Sequence, residues 1–173
     1  DLCAAPGGKS TQIASHLKKG YLVSNEIDAK RAQILLSNME RMGVKNMAVT
    51  NTSVDKLAKI FNNCFDKILV DAPCSGEGMI KKHDIALNNW SIENIELCAS
   101  RQKEILEYAY SMLKPGGTIV YSTCTYALEE DEDVVLAFLE KHADMELLDP
   151  NVSWGRRGFK SLNVRRIFPM DGG

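Results

Sequence analysis

The run KILVDA, residues 67–72, is apolar at three consecutive positions, Ile68, Leu69 and Val70. Successive side chains of a strand point to opposite faces, so a strand like this one needs cover on both faces of its sheet. The chain supplies the covering helices. YLVSNEI (21–27) predicts a strand. In the helix that follows it, Ala32, Leu35, Leu36, Met39 and Met42 form one apolar face, with Asp28 as N-cap and Gly43 as stop. NMAVT (46–50) predicts a short strand and DKLAKIF (55–61) a short helix. A long helix is expected over 91–113, capped by Ser91, with Ile95, Ala99, Gln102, Leu106, Ala109 and Leu113 along one side. KPGG (114–117) is a turn signal. TIVYST (118–123) predicts a strand, 129–142 a helix and MELL (145–148) one more strand, before a tail that reads as loop.

Alternation of strand and helix at this spacing predicts an α/β fold, with a doubly wound, mainly parallel sheet. Ligands of such sheets bind beyond the carboxyl ends of the strands, near the point where the strand order reverses. The loops CAAPGGK (3–9), NEID (25–28), DAPCSGEG (71–78) and STCT (122–125) all fall at such ends and are expected to be neighbours in space. A length of 173 residues fits one domain, 1–173, with its first strand and a final strand expected to be largely missing.

Composition narrows the classes. No apolar run approaches the roughly 20 residues that cross a bilayer, and no basic-then-apolar leader opens the chain. A net charge of -2 does not announce a nucleic-acid binder, so any polyanion contact must be a local patch. The five cysteines, Cys3, Cys64, Cys74, Cys98 and Cys124, are odd in number and form no CxxC pair. A disulfide framework and a metal site are therefore not expected, and a reducing, cytoplasmic setting is.

The loop DLCAAPGGKS pairs small residues with a helix N-terminus, where free N–H groups meet a ligand. Its spacing matches neither GxGxxG nor GxxxxGK[ST], which leaves a ligand carrying a nucleoside and a carboxylate, or a tight packing turn. Glu26, about 20 positions on, is placed to accept hydrogen bonds from ribose hydroxyls or to sit at a helix start. Asp71 is expected to be buried beside the pocket, where a carboxylate needs partners. Cys74 and Cys124 each follow a strand. They read either as packing residues or as two thiols brought to one pocket. A nearby lysine such as Lys9 would lower a thiol pKa, whereas EEDED (129–133) would raise it. Those carboxylates are therefore expected to face solvent or to cap a helix. Cys3, Cys64 and Cys98 read as packing residues. The basic stretches KKH (81–83), GRRGFK (155–160) and NVRRIFP (163–169), interleaved with Trp90, Trp154, Phe159 and Phe168, read as solvated loops or as phosphate and base contacts.

Taken jointly, DLCAAPGGKSTQIA, SNEIDAKR, FDKILVDAPCSGEGMIKK, LKPGGTIVYSTCTYALEEDE and VRRIFP resemble the Sun-family (Fmu-type) RNA cytosine-carbon-5 methyltransferases, across nearly the whole chain. GEGMIKK and the NW after it look most like the bacterial small-subunit ribosomal RNA branch. The resemblance implies a Rossmann-like, S-adenosylmethionine-dependent catalytic domain acting on RNA, ribosomal RNA first and transfer RNA as an alternative. By position, Cys3, Ala4, Ala5, Pro6, Gly7, Gly8 and Lys9 would cradle the cofactor's methionine end, Glu26 its ribose, and Asp71 the junction with cytosine. Cys124 matches the family's nucleophile, and Cys74 the second cysteine associated with product release. DNA cytosine methyltransferases attack instead with the cysteine of the PC loop. Ser53 departs from the pattern, standing where close relatives often have Asp. A cytoplasmic monomer is expected, with no membrane partner.

Two other classes stand beside this reading. A non-catalytic RNA-binding or assembly module would not need both cysteines and Asp71. A thiol hydrolase would need a histidine beside Cys124, and His16, His83 and His142 have no triad context.

Overall fold

The structure, a computed structural model, describes residues 1–79 and 90–171. It divides into two compact units: Asp1–Ala72 with Glu107–Tyr121, and Pro73–Leu106 with the chain from Ser122 onward.

The first unit is built on strands. Helix α1 (Gly8–His16) leads to β1 (Leu22–Asn25), α2 (Ala29–Arg41), β2 (Met47–Thr50), α3 (Val54–Ile60) and β3 (Phe65–Asp71). Strand β4 (Leu113–Ser122) pairs with β3, and β1 pairs with β2 in parallel, Leu22 opposite Met47. The segment 1–4 lies between the two pairs. Asp1 O accepts from Asn25 N at 2.8 Å, Ala4 N donates to Asn25 O at 2.9 Å, and Leu2 N donates to Leu69 O at 3.0 Å. The lateral order is therefore β2, β1, segment 1–4, β3, β4. From segment 1–4 the chain first builds outward to β1 and β2, then returns to the other side for β3. That reversal is the topological switch point, and the loop 3–9 leaves from it.

The apolar pattern of β3 behaves as its sequence requires. Ile68 and Val70 are buried on one face and Leu69 is half-buried on the other. Beside it, Ala4, Ala5, Leu22, Leu35 and Met39 form a core onto which Ile13, Leu17, Val44 and Val49 pack. Complete burial of a side chain such as Leu35 or Met39 is worth about 1.5–3 kcal/mol. Helix α2 is narrower in its buried face than its sequence predicts: Ala32, Leu35 and Met39 are inside, but Leu36 and Met42 are exposed. Asp28 caps it as expected, accepting from Arg31 N at 2.8 Å, and Gly43 follows it at φ 68°.

Helix α4 (Ile92–Met112) and α5 (Glu132–Lys141) are the long elements of the remaining chain, α4 reaching the first unit with its last residues. All six residues predicted along one side of the 91–113 helix are buried, five of them in α4 and Leu113 as the first residue of β4. Ser91 Oγ accepts from Asn94 N at 3.1 Å, as a cap does.

Three expectations are corrected. KPGG is not a separate turn, because β4 already begins at Leu113 and carries Gly116 at φ 76° within it. MELL forms no strand, and Met145 N instead donates back to His142 O at 3.0 Å. The tail is not wholly loop: β5 (Arg156–Arg157) and β6 (Arg165–Arg166) pair antiparallel. Among the described residues no helix is long and apolar enough to cross a membrane.

Candidate functional site

At the switch point of the first unit lies a cleft of about 230 Å³, lined by Asp1, Cys3, Ala4, Ala5, Pro6, Gly8, Lys9 and Asp71. Small side chains open it. Gly7 caps α1 at φ 110°, and a Cβ there would stand 3.0 Å from Leu35 Cδ1, so the turn admits only glycine without strain. A Cβ on Gly8 would meet nothing within 4 Å. Three N–H groups of the first turn of α1, those of Gly8, Lys9 and Ser10, have no carbonyl behind them in the helix. Lys9 Nζ lies 2.6 Å from Asp71 Oδ2, which brings a cation and a carboxylate to the rim together. Asp71 is half-buried, not fully buried as its position after β3 predicts. Asp1 Oδ2 accepts from Ser10 Oγ at 2.7 Å, while the buried Asp1 Oδ1 has no hydrogen-bond partner among the described residues.

Glu26 is buried but does not line this cleft. Its Oε1 accepts from Asp28 N at 3.0 Å, and its Oε2 lies 3.4 Å from Arg31 Nη1. The same arginine donates to Ala5 O at 2.8 Å, so Glu26 is tied to the loop through Arg31. Burial, then the charges of Glu26 and Asp71, push the Cys3 thiol up to about 12. Cys3 is thus held neutral, as a lining residue.

The donors and acceptors of the cleft suit an amino-acid end with both charges. Free N–H groups and Lys9 would suit a carboxylate and Asp71 an ammonium, and the volume is below the roughly 300–1,000 Å³ of complete small-ligand pockets. The cleft fits the end of a larger ligand. Ser53 precedes α3 and makes no side-chain cap bond to it.

Cys74 and Cys124 belong to the second unit, and the structure brings them together. Their sulfur atoms are 3.0 Å apart, and Cys124 N donates to Cys74 Sγ at 3.3 Å. Cys124 is exposed and Cys74 half-buried. The hydrogen bond with Cys124, and burial after it, push the Cys74 thiol far above its ordinary range. The shift favours the protonated form of Cys74, and either sulfur can be the donor in the pair. Of the other thiols, Cys98 is buried as expected, whereas Cys64 is exposed and packs in no core.

Both cysteine loops are held by groups that sequence reasoning missed. Gly78 N donates to Cys124 O at 2.8 Å, and a Cβ on Gly78 would lie 2.6 Å from that oxygen. Ser75 Oγ and Thr125 Oγ1 are 3.0 Å apart. Glu130, fully buried, accepts from Ser75 N at 3.0 Å and from Gln102 Nε2 at 2.8 Å. Thr123 Oγ1 donates to Asp131 Oδ1 at 2.6 Å.

The EEDED expectation is overturned. Glu130 and Glu132 are buried, and Asp131 and Asp133 are half-buried, leaving Glu129 exposed. Burial pushes Asp131 up to about 6, against the pull of Thr123 and Arg166. Burial also pushes Glu132 up, but its bonds from Arg166 and Phe159 N outweigh this and hold it below the usual range. Arg166, a predicted phosphate contact, is a buried structural cation. It binds Glu132, reaches Asp131 at 3.1 Å and donates to Tyr126 O at 3.1 Å. Arg156 pairs with Asp171, Arg165 approaches Asp149, and Lys160 pairs with Asp133. KKH lies outside the described residues.

Comparison with known proteins shows the family and the fold. A family model described as 16S rRNA methyltransferase RsmB/F matches residues 1–172. Ribosomal RNA small subunit methyltransferase F of Erwinia tasmaniensis is 42% identical over 173 residues, covering 98% of this chain and 36% of that protein. The solved structure titled Crystal Structure of PH0851 superposes with a TM-score of 0.91 at 34% identity, over 98% of this chain and 38% of that one. The crystal structure of NSun6 from Pyrococcus horikoshii with SFG gives a TM-score of 0.87, also at 34% identity, over 98% and 43%. These likenesses, with the parallel pairing of β1 and β2, make the fold Rossmann-like. The chain spans about a third of the length of the curated relatives it matches.

Proposed function

This chain belongs to the 16S rRNA methyltransferase RsmB/F family, and from that premise we propose that it carries the catalytic site of a cytoplasmic, monomeric enzyme that methylates carbon 5 of a cytosine in small-subunit ribosomal RNA. The observation that carries the reading is the thiol pair: an exposed Cys124 sulfur 3.0 Å from a half-buried Cys74 sulfur. The family match runs through both compact units, which are read as one catalytic domain.

The cleft at the switch point is read as the seat of S-adenosylmethionine. The N–H groups of Gly8 and Lys9 and the Lys9 ammonium would hold its carboxylate, and Asp71 its ammonium. Cys3, Ala4, Ala5, Pro6 and Gly7 would line its methionine end, and Glu26 would take the ribose hydroxyls. When bound, it supplies a methyl group on a positively charged sulfur.

Carbon 5 of cytosine is a weak nucleophile. The Cys124 thiolate bonds to carbon 6, and the electrons of the carbon 5–carbon 6 double bond make carbon 5 able to accept a methyl group. Loss of the carbon-5 proton to a base then restores that double bond as the sulfur–carbon 6 bond breaks, and the electron pair returns to Cys124. A neutral Cys74 thiol donating to the Cys124 sulfur stabilises it as a leaving thiolate, which suits Cys74 to product release. The target must leave its stack to reach a thiol, so a single-stranded or flipped cytosine is required.

The test is capture by RNA containing 5-azacytidine in the presence of S-adenosylmethionine. The analogue resists the final elimination and leaves the attacking cysteine attached. Attachment mapped to Cys124 is the expected result. Attachment at Cys74 would reverse the two thiol roles, and absence of any adduct with the full-length protein would remove the reading.

A further inference from the structure

We infer that Glu77 is a positioning residue for the thiol pair, a carboxylate clamp that sets the spacing of Cys74 and Cys124. The inference rests on the proposed reading for its catalytic consequence but on geometry alone for the clamp. Glu77 stands three residues after Cys74. Its Oε2 accepts from Thr125 Oγ1 at 3.1 Å and from Tyr126 N at 2.9 Å, the two residues directly after Cys124. Its Oε1 accepts from Trp90 Nε1 at 2.8 Å. Both oxygens are thus used, one to tie the second cysteine loop to the first and the other to fix the carboxylate's own orientation.

The neighbouring bonds make the clamp specific. Gly78 N donates to Cys124 O, so residues 77 and 78 grip residues 124–126 from both the backbone and a side chain. Thr125, itself buried, passes the constraint back to the first loop through Ser75 Oγ. A carboxylate with three donors on two oxygens is stronger and more directional than a neutral acceptor.

Thiol chemistry is sensitive to such register: a misplacement of about 1 Å can cost about 100-fold in rate. The full-length protein is compared as wild type, Glu77→Ala, Glu77→Gln and Thr125→Val. The first readout is the rate at which diamide, which takes two electrons and two protons from a thiol pair, joins Cys74 to Cys124. The second is adduct formation with 5-azacytidine RNA. Glu77→Ala is expected to slow both, the second by about 100-fold, with S-adenosylmethionine affinity unchanged. Glu77→Gln keeps a carbonyl for Thr125 and Tyr126 and should restore most of both rates, which a merely structural defect would not do. Should Glu77→Ala lose its cooperative melt, Thr125→Val, of the same shape but without the hydroxyl, carries the test. Wild-type rates in both assays for the folded variant would overturn the inference. Slowed disulfide formation with no RNA adduct even in the wild type would uphold the clamp and sink the methyltransferase reading.

Discussion

Cys124 Sγ lies 3.0 Å from Cys74 Sγ, and the two differ in exposure, Cys124 open to solvent and Cys74 half-buried. Two chemically identical groups therefore stand in different surroundings, one sulfur open to reagents and the other partly shielded.

That difference separates the outcomes expected from removing each sulfur. Cys124→Ala should reduce methyl transfer to background and abolish the covalent RNA complex while leaving S-adenosylmethionine binding intact. Cys74→Ala should leave attack possible but impair release, so that a covalent RNA complex builds up on denaturing gels. Equal loss of the complex in both variants would contradict the assigned roles.

Lys9 and Asp71 form a solvent-facing pair, with side chains 50% and 34% exposed. Such a pair adds no more than about 1 kcal/mol to stability. Lys9→Met is therefore expected to leave the melting temperature within about 4 °C of wild type. If Lys9 binds a ligand carboxylate, losing a charged hydrogen bond of about 1.5–3 kcal/mol weakens S-adenosylmethionine about 10- to 150-fold. Equilibrium binding checks this, and unchanged affinity would remove Lys9 from the cofactor cradle.

Arg166 and Glu132 are both buried and bonded to each other. Removing one partner leaves the other charge unpaired, at a cost of about 3–5 kcal/mol. Arg166→Met should show that loss in urea denaturation. Arg166→Met combined with Glu132→Leu should recover a large part of it, because the desolvated charges are then both gone. A loss below about 1 kcal/mol in the single variant would mean that the pair is not desolvated.

Asp131 gives a pH signature. Its carboxyl is raised from 3.8 to about 6 by burial. Below pH 4 it is protonated folded or unfolded. Between about 4 and 6 the folded state binds more protons, so this group's contribution to stability falls as pH rises. Relative to wild type, Asp131→Asn should thus gain stability from pH 4 to pH 7, by up to about 3 kcal/mol. Urea midpoints across that range test it, and a difference independent of pH would contradict the raised value.

Alkylation should rank the cysteines by exposure and proton affinity. With its thiol near 12, Cys3 is about 1 part in 10,000 thiolate at pH 8. Iodoacetamide at pH 8 is expected to label Cys64 and Cys124 first and to leave Cys3 and Cys98 last, read by peptide mass spectrometry. Early labelling of Cys3 would show that its burial is not maintained.

Local pattern carried much of the fold. The double-sided apolar run at Ile68–Val70, the cap at Asp28 and the five-residue buried side of α4 follow from rules that act within one element, and the structure keeps them. Small residues at 3–9 marked either a ligand loop or a tight packing turn, because backbone exposure is a local property of glycine and alanine, and a cleft opens there. The two thiols stood out by their places after strands. What tertiary structure decided is which distant groups compensate one another. Sequence alone placed EEDED toward solvent or at a helix cap, since isolated carboxylates stay hydrated; Arg166, Gln102 and Ser75 N, 28 to 55 positions away, make burial of Glu130 and Glu132 tolerable. Arg166 was misread for the same reason, its partner being invisible from its own neighbourhood. Glu77 gave no signal at all, because a clamp is defined by the loop it holds. Propensity and patterning act over a few residues and are written along the chain. The desolvation of a charge, and the 3.0 Å between two sulfurs, depend on contacts that only folding creates.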